Sequence, residues 1–320
     1  MMDIRELFKR IIVFREIMIL LVIIFSCIVM SIASPIFLTF DNIMAILLSL
    51  SIESIVVIGM TILMVSGGFD LSVGSTVALC SAVTAMSMTS GIPVVVSIFI
   101  GLFLGVLIGV VNGLIIAGIG INPFITTLGM MSIIRGILLV VTKARNIAGL
   151  PESFKAIGQN NFLGVQYPIL IAAFFIIAGD ILLRRSRFFR QNYYIGGNEK
   201  AAVLSGIDVN FMKIFNYGLI GFLAALAGIV MTARLGAASV TAGTGLELKV
   251  ISAAVIGGAS LKGGEGTVFG GFLGTLLMAI IVSSLTLLGV DIYWNALIIG
   301  ATLLIAVTID SLGKKQRAIR

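Results

Sequence analysis

The chain consists largely of long apolar runs separated by short polar stretches. Because a helix rises about 1.5 Å per residue and a bilayer's hydrocarbon core is about 30 Å thick, runs of roughly 18 to 25 apolar residues predict membrane-spanning helices. Ten runs fit, of which the eighth is the weakest because it is short and carries Glu247 and Lys249. They cover approximately residues 17–33, 44–65, 71–88, 93–117, 123–141, 168–183, 214–234, 246–261, 267–288 and 293–311. The pattern predicts an all-α polytopic membrane protein with one transmembrane domain over residues 1–320.

Two breaks rich in Gly and Ser interrupt this pattern. They cover residues 66–75 and 236–247, and a short span with polar residues follows each. The breaks follow the second and the seventh predicted span, so a repeat marked by them is inverted across the membrane. Inverted repeats with interrupted helices are typical of transporters. Gly-rich connectors are also common at the ends of ordinary spans, and the pattern alone leaves both interpretations open.

Glycines recur at four-residue spacing in the fourth predicted span, at positions 101, 105, 109 and 113. A smaller set, at positions 270, 271 and 274, lies in the ninth. This spacing places small residues on one helix face, where two backbones can approach closely, and this is how helices associate in lipid. We therefore expect both sets to serve helix packing.

Composition excludes most alternatives to a membrane protein. Hydrophobic residues make up 59% of the chain and charged residues 11%, and the mean hydropathy is +1.20. Soluble chains carry about 25% charged residues, so a disordered protein, a coiled coil and nearly every class of cytosolic enzyme are excluded. Histidine is absent, which removes His-based catalytic triads and His metal sites, and we expect no metal site and no cofactor. Cys27 and Cys80 lie in apolar runs and are expected to be core residues.

The formal net charge of +7 reflects topology more than a nucleic-acid partner, because Lys and Arg collect at the ends of apolar runs. Basic residues precede the first run and follow the last, which predicts that both termini are cytoplasmic and that the number of spans is even. Ten spans also place the basic segment 184–213 inside. The stretch 142–165 is then external, although it carries Lys143, Arg145 and Lys155. A cleaved signal peptide is not indicated before the first run.

The chain has no ATP-binding loop of its own. The nearest Gly-rich stretch, residues 257–266, has the wrong spacing and no Ser or Thr after its Lys. Uphill transport must then be driven by an ion gradient or by a separate subunit that hydrolyses nucleotides.

Residues 198–206 predict a short helix within the basic segment. Asn198 is a good N-cap, Glu199 suits the positive end of a helix, and Gly206 suits the stop. A capped helix of about two turns in a basic loop is suited to docking into a partner's cleft. A plain surface turn between two spans is the alternative.

Four distinctive runs occur along the chain in this order: Phe-Asp-Leu-Ser-Val-Gly-Ser at 69–75, Gly-Asn-Glu-Lys-Ala-Ala-Val-Leu-Ser-Gly-Ile at 197–207, Thr-Ala-Gly-Thr-Gly-Leu-Glu at 241–247, and Val-Ile-Gly-Gly-Ala-Ser-Leu-Lys-Gly-Gly-Glu-Gly at 255–266. With these runs the chain resembles the ribose-type permeases of bacterial ABC importers, in the broad group of the branched-chain amino-acid permeases. The resemblance covers nearly the whole chain, and similar permeases import other sugars and autoinducer-2.

The resemblance implies a fold like that of type II ABC importer permeases and a pore of two permease chains, identical or different. It also implies an ATPase subunit under each chain and an external sugar-binding protein. By the same resemblance the short helix is the coupling helix that rests on the ATPase. The matching residues are Asn198, Glu199, Ala201, Ala202 and Gly206, whereas Lys200 stands where the family usually has Ala. We expect Lys200 to affect the choice of partner more than function.

Four polar residues in or beside the two breaks are candidates for lining a translocation pathway. They are Asp70, Ser72, Thr244 and Glu247. Sugars carry many hydroxyl groups and no charge, so backbone carbonyls and hydroxyl side chains suffice to let them pass. The alternative is that Asp70 and Glu247 cap helix N-termini, where carboxylates are stabilised by the helix dipole.

Glu53 and Arg135 lie well inside the second and fifth predicted spans. Each costs about 2.5–3.5 kcal/mol at the centre of a bilayer unless it is satisfied. Their depths are comparable, and we expect them to pair. Snorkelling of Arg135 and a water-lined Glu53 remain an alternative.

Two other classes compete with an ABC permease. A secondary transporter or channel that works alone with protons or sodium usually needs acids within the membrane as ion sites, and Glu53 is the only acid deep in a predicted span. A membrane enzyme lacks support because no histidine, clustered carboxylates or activated nucleophile is present.

Overall fold

The structure, a computed structural model, describes residues 15–291 and, beyond them, residues 293–294, 297–298, 300–302, 304 and 308. The described part is helical apart from one two-stranded antiparallel hairpin and the connecting loops. Its elements are α1 (Arg15–Ala33), α2 (Phe40–Val65), α3 (Val73–Thr89), α4 (Val94–Leu114, extended by a π-helical turn over Ile115–Ile119), α5 (Pro123–Thr142), α6 (Glu152–Gln159), β1 (Asn161–Phe162), β2 (Val165–Gln166), α7 (Tyr167–Arg185), α8 (Arg187–Gly197), α9 (Glu199–Leu204), α10 (Val209–Leu235), α11 (Leu246–Ile256) and α12 (Val268–Leu287).

Local sequence signals explain where several helices begin. The Thr39 hydroxyl accepts a hydrogen bond from the Asn42 amide at the start of α2. Asn122 caps α5 in the same way, with Pro123 at the first helical position, where its missing N–H costs nothing. Asp208 caps α10 by accepting from the Phe211 amide. These caps satisfy amide groups that have no partner within the helix.

The polytopic all-α fold is confirmed, whereas the count of ten spans stays a prediction. Seven helices of the described part are long and apolar enough to cross a bilayer: α1, α2, α4 with its π-helical turn, α5, α7, α10 and α12. The predicted third span is the shorter α3, and the predicted eighth span is only the 11-residue α11. About half of the predicted tenth span, residues 293–311, lies outside the described residues.

The bundle has two ends, which we name by their contents. The basic end holds α8, α9 and the start of α10, and the hairpin end holds α6 and the β1–β2 hairpin. α1 begins at the basic end, where Arg184 forms a 2.6 Å ion pair with Glu16. α10 runs from the basic end to the hairpin end, where the Arg234 carbonyl accepts a hydrogen bond from Gln159.

Two helical units run in opposite directions through the bundle. α2, α3 and α4 form the first unit, and α10, α11 and α12 form the second. α2 and α10 are antiparallel, because Arg234 donates to the Leu48 carbonyl and Asn216 donates to Ser66. α3 starts in the middle of the bundle and leads to the hairpin end, whereas α11 starts in the middle and leads to the basic end. The predicted breaks are thus real, and the units they interrupt are inverted relative to each other.

The glycine series packs α4 against its neighbours as predicted. A β-carbon on Gly105 would overlap the backbone of Gly221 in α10, and one on Gly109 would overlap the carbonyl oxygen of Tyr217. In α12, a β-carbon on Gly274 would overlap the Ala253 carbonyl of α11. Small residues therefore permit backbone contact both between the two units, where α4 crosses α10, and within the second unit, where α12 crosses α11.

Candidate functional site

The two breaks meet in the middle of the bundle, at the first turns of α3 and α11. A β-carbon on Gly74 would overlap the carbonyl oxygen of Gly243, and one on Gly243 would overlap the carbonyl oxygen of Gly74. Gly243 also has a positive φ of 67°, which favours glycine. Two helices shorter than the seven long ones, α3 with 17 residues and α11 with 11, thus begin against each other with their unwound segments in backbone contact, and we call them the half-length helices. Unwound backbone at membrane depth is tolerated where it is buried in protein or lines a cavity.

Asp70 and Ser72 lie in the first break and are fully buried. One oxygen of the Asp70 carboxylate accepts hydrogen bonds from the Ser72 amide at 2.7 Å and from its hydroxyl at 2.6 Å. The Asn112 side chain, from α4, donates to Ser72 Oγ at 3.0 Å and to the other Asp70 oxygen at 3.4 Å. The cluster fixes the chain just before α3 begins. This geometry agrees with the alternative that Asp70 organises a helix start.

Asn112 was not singled out from the sequence, although a signal was available. It is the only Asn, Gln or charged residue in the fourth apolar run and is completely buried. A polar side chain in a spanning helix requires a partner inside the bundle. The sequence does not say which residue that partner is.

The second break is held by Arg135 from α5. The guanidinium donates from Nη1 to the Val240 carbonyl at 2.9 Å and to the Ala242 carbonyl at 3.2 Å. These carbonyls are left without helical partners by the unwinding, so Arg135 satisfies them. Glu247, in the first turn of α11, is half-buried and interacts electrostatically with Arg135. Each break is therefore tied by one polar residue from a neighbouring helix, Asn112 or Arg135.

The predicted pair between Glu53 and Arg135 is wrong. Glu53 forms a 3.0 Å ion pair with Lys249 of α11, and both side chains are partly exposed. Two facts explain the difference: α11 begins in the middle of the bundle and brings Lys249 to the level of Glu53, and Arg135 is engaged by carbonyl groups. The charges that made the eighth run look weak as a span belong to the start of a half-length helix.

We expect exchange of Glu53 and Lys249 to preserve assembly better than either charge removal. Glu53→Gln or Lys249→Met leaves one charge unpaired, which costs about 1 kcal/mol for a partly exposed pair. The double variant Glu53→Lys with Lys249→Glu keeps the pair and should recover thermal stability, measured on the detergent-solubilised protein. Exchange of Glu53 with Arg135 is the control and should not recover it. Equal recovery in both exchanges would contradict the assignment.

Two cavities open at opposite ends of the bundle. The cavity at the basic end has a volume of about 570 Å³ and reaches from the first break to the short helix, with Gly67, Tyr217, Asn198 and Lys213 in its wall. The cavity at the hairpin end has a volume of about 400 Å³ and is lined by Glu53, Lys249, Arg234 and Thr244. Among the predicted pathway residues, all of which are described, Thr244 lines one of these cavities and is exposed, whereas Asp70 and Ser72 are buried.

The short helix predicted at residues 198–206 is present as α9. The Asn198 side chain accepts a 3.0 Å hydrogen bond from the Ala201 amide. Gly206 has a φ of 81°, and its amide and that of Ile207 donate to the carbonyls of Val203 and Ala202. Hydrogen bonds of this kind, made by a glycine with positive φ and the residue after it to the last turn, commonly end a helix.

One face of α9 is held by the bundle and the other is open. Ala202 is buried in a cluster with Ile195 of α8 and Met212 of α10. Glu199 forms a 2.7 Å ion pair with Lys213. Leu204, by contrast, is 89% exposed and Val203 is 55% exposed. An apolar pair on a rigid, capped helix at the basic end is a surface that a partner could cover.

Comparison with known proteins matches residues 42–307 to a family described as the permease component of the branched-chain amino acid transport system. This chain belongs to that permease family. The permease is 42% identical to the ribose import permease protein RbsC of Bacillus subtilis (strain 168), with 88% of each chain covered. It is 35% identical to the D-allose transport system permease protein AlsC of Escherichia coli (strain K12), over 89% of this chain and 88% of that one.

A third relative is named for a molecule other than ribose or allose. The permease is 34% identical to the autoinducer 2 import system permease protein LsrC of Klebsiella pneumoniae, over 90% of this chain and 85% of that one. No solved structure matches the chain. The family assigns this chain the role of a transmembrane transport subunit of an ABC importer and not that of an enzyme, and ATP hydrolysis in such systems lies on a separate subunit. An ATPase and a substrate-binding protein are the partners that such a subunit requires.

Proposed function

We propose that this permease imports ribose, a similar monosaccharide or autoinducer-2. Support comes from its relatives, which are named for ribose, D-allose and autoinducer-2 and match it along nearly their whole length. The hydroxyl-rich chemistry of these molecules agrees with cavity walls that carry many hydrogen-bonding groups, in which Ser, Thr and Asn side chains lie beside charged ones such as Lys213 and Glu53. Selection among them is expected to rest on the external binding protein.

The observation that carries the mechanism is the exposed, capped α9. In this proposal α9 is the coupling helix, and Val203 and Leu204 dock into a cleft of the ATPase subunit. Asn198, Glu199, Ala201, Ala202 and Gly206 then build and orient that helix. The open apolar face of α9 lacks a partner within the described part of the chain, which fits docking better than a plain surface turn.

The basic end is the cytoplasmic end in this proposal. Arg184, Arg185, Arg187 and Arg190 cluster there, and an excess of Lys and Arg favours the cytoplasmic side. The first helix starts at the same end, which supports a cytoplasmic N-terminus. The charges after residue 313 support a cytoplasmic C-terminus in the bacterial inner membrane. The hairpin end then faces outward and receives the binding protein.

The two cavities are the vestibules of an alternating pathway, with the contact between Gly74 and Gly243 between them. Thr244, Glu53 and Lys249 belong to the outer vestibule, and Asp70, Ser72 and Glu247 shape the starts of the half-length helices. A second permease chain, identical or different, completes the pore. Movement of the ATPase subunits tilts α9 and opens one vestibule while it closes the other.

Co-purification of the ATPase subunit tests this proposal. Gly206→Pro forces a φ of about −65° on a residue that needs a positive φ, so it should unwind the stop of α9 and release the ATPase. Gly164→Pro is a matched control, because Gly164 has a φ of 84° in an open turn at the hairpin end. It should leave the ATPase bound. Release by both variants, or by neither, would contradict the docking role of α9.

Uptake identifies the substrate. Labelled ribose, D-allose and autoinducer-2 should be compared in a strain that lacks this chain, with and without its restoration. Restored, ATP-dependent uptake of one of them supports the proposal. Uptake that follows a proton or sodium gradient in the absence of the ATPase would instead favour a carrier that works alone.

A further inference from the structure

We infer that α8 transmits movement of α9 both to the end of α2, at the first break, and to the loop that follows α11, and that Gly196 is its positioning residue. This inference rests on the proposed function of α9. It concerns a different helix, residues 187–197, which lies within the basic segment 184–213 but precedes the residues assigned to the coupling helix. Three successive attachments along α8 carry it.

The first attachment joins α8 to the end of α2, where the first break begins, through Asn216 of α10. The Asn192 side-chain oxygen accepts a 2.8 Å hydrogen bond from Asn216 Nδ2, which also donates to Ser66 Oγ at 3.3 Å. All three residues are buried. Buried hydrogen bonds of this kind fix the positions of the helices relative to each other, because breaking them leaves polar groups unsatisfied and away from water.

The second attachment joins α8 to the loop that follows α11, the second half-length helix. The Tyr193 hydroxyl donates a 2.7 Å hydrogen bond to the carbonyl of Gly266. That loop ends at Thr267, which caps α12. A displacement of α8 therefore acts on the second unit through the connection between α11 and α12.

The third attachment is a backbone contact at Gly196. A β-carbon there would overlap both the Val65 carbonyl oxygen and the Gly264 amide. These two groups are already hydrogen bonded to each other, at 2.8 Å. Gly196 thus lies against the bond that ties the end of α2 to the loop after α11. Any side chain at residue 196 must push α8 away from that bond.

α8 is also fixed to α9, by packing next to these attachments. Ile195 packs with Ala202 of α9 and with Met212 of α10 in one buried cluster. A single residue, Asn198, separates the two helices. The contacts therefore form a continuous path from the exposed face of α9, through α8, to the first break and to the loop behind α11.

The neighbouring Gly197 provides a matched control. A β-carbon on Gly197 meets nothing within 4 Å, and its φ is not positive. Gly196→Ala and Gly197→Ala thus make the same chemical change one residue apart, one against the shared bond and one into open space.

The test measures the number of substrate molecules transported per ATP hydrolysed. The complete complex, with ATPase and binding protein, is placed in proteoliposomes and supplied with the substrate found by the uptake comparison. The complex with Gly196→Ala should retain the ATPase and hydrolyse ATP, while the number of substrate molecules transported per ATP, the transport ratio, falls by about tenfold. Gly197→Ala should keep the wild-type ratio.

Tyr193→Phe covers the case in which Gly196→Ala fails to fold. It removes only the hydrogen bond to Gly266, and we expect the ratio to fall about fivefold with the complex intact. A wild-type ratio in Tyr193→Phe, or a proportional fall of transport and hydrolysis in either variant, overturns the inference. The proposed function fails separately, if the wild-type chain binds no ATPase or shows no ATP-dependent uptake.

Discussion

Gly74→Ala is expected to reduce transport by roughly ten- to a hundredfold, because overpacking a tight contact costs about 1–3 kcal/mol. The added methyl group would overlap the Gly243 carbonyl and approach Glu247. The Glu247 side chain can rotate away, but the Gly243 carbonyl belongs to the backbone and cannot move without shifting the segment that leads into α11. The two half-length helices would separate in the middle of the bundle, where their unwound backbone depends on this contact. Uptake of labelled substrate, corrected for the amount of protein in the membrane, measures the effect.

Gly136→Ala is the control for this change. Gly136 lies inside α5, and a β-carbon there meets nothing within 4 Å. Uptake should remain near the wild-type value, since alanine is a better helix former than glycine. If Gly74→Ala transports as well as Gly136→Ala, the contact between the breaks has no role in transport.

Asn112→Leu should produce the second large effect, a loss of stability of about 1–3 kcal/mol. The substitution removes the donor that serves Ser72 Oγ and one oxygen of the Asp70 carboxylate. A buried carboxylate then lacks part of its hydrogen bonding, and leucine, which has a similar branched shape but a larger volume, adds overpacking at this buried position. Thermal unfolding of the solubilised protein measures the loss, and Asn161→Leu, at an exposed strand position, serves as the control.

Asp70→Asn combined with Asn112→Leu refines this prediction. The amide retains an oxygen for the Ser72 amide and hydroxyl but carries no charge, so the double variant should be more stable than Asn112→Leu alone. A double variant that is less stable, by the sum of the two single effects, would mean that Asp70 and Asn112 act independently.

The sequence predicted the local features of this protein well. The two breaks, the capped α9 and the glycine contacts of α4 all lie where Gly, Ser and Asn indicated them, because turns, caps and close approaches depend on neighbouring residues. The resemblance to ribose-type permeases, stated from four runs, agrees with the family match over residues 42–307.

Contacts between distant segments were predicted poorly. Depth along a span suggested Arg135 as the partner of Glu53, yet carbonyls freed by the second break bind Arg135 and leave Glu53 to Lys249. The eighth run was interpreted as a weak span because the sequence does not reveal that α11 begins in the middle of the bundle. Asn112 stayed unnoticed because its partners lie about 40 positions earlier in the chain.

Labelling of single cysteines tests the central claim, that α9 faces the cytoplasm and docks on the ATPase. In a chain without Cys27 and Cys80, Leu204→Cys and Leu163→Cys place thiols at two side-chain positions that are each 89% exposed, one at each end of the bundle. In intact cells a membrane-impermeant thiol reagent should label residue 163 only. Residue 204 should react after permeabilisation, and the bound ATPase should protect it. Labelling of residue 204 in intact cells would contradict the account.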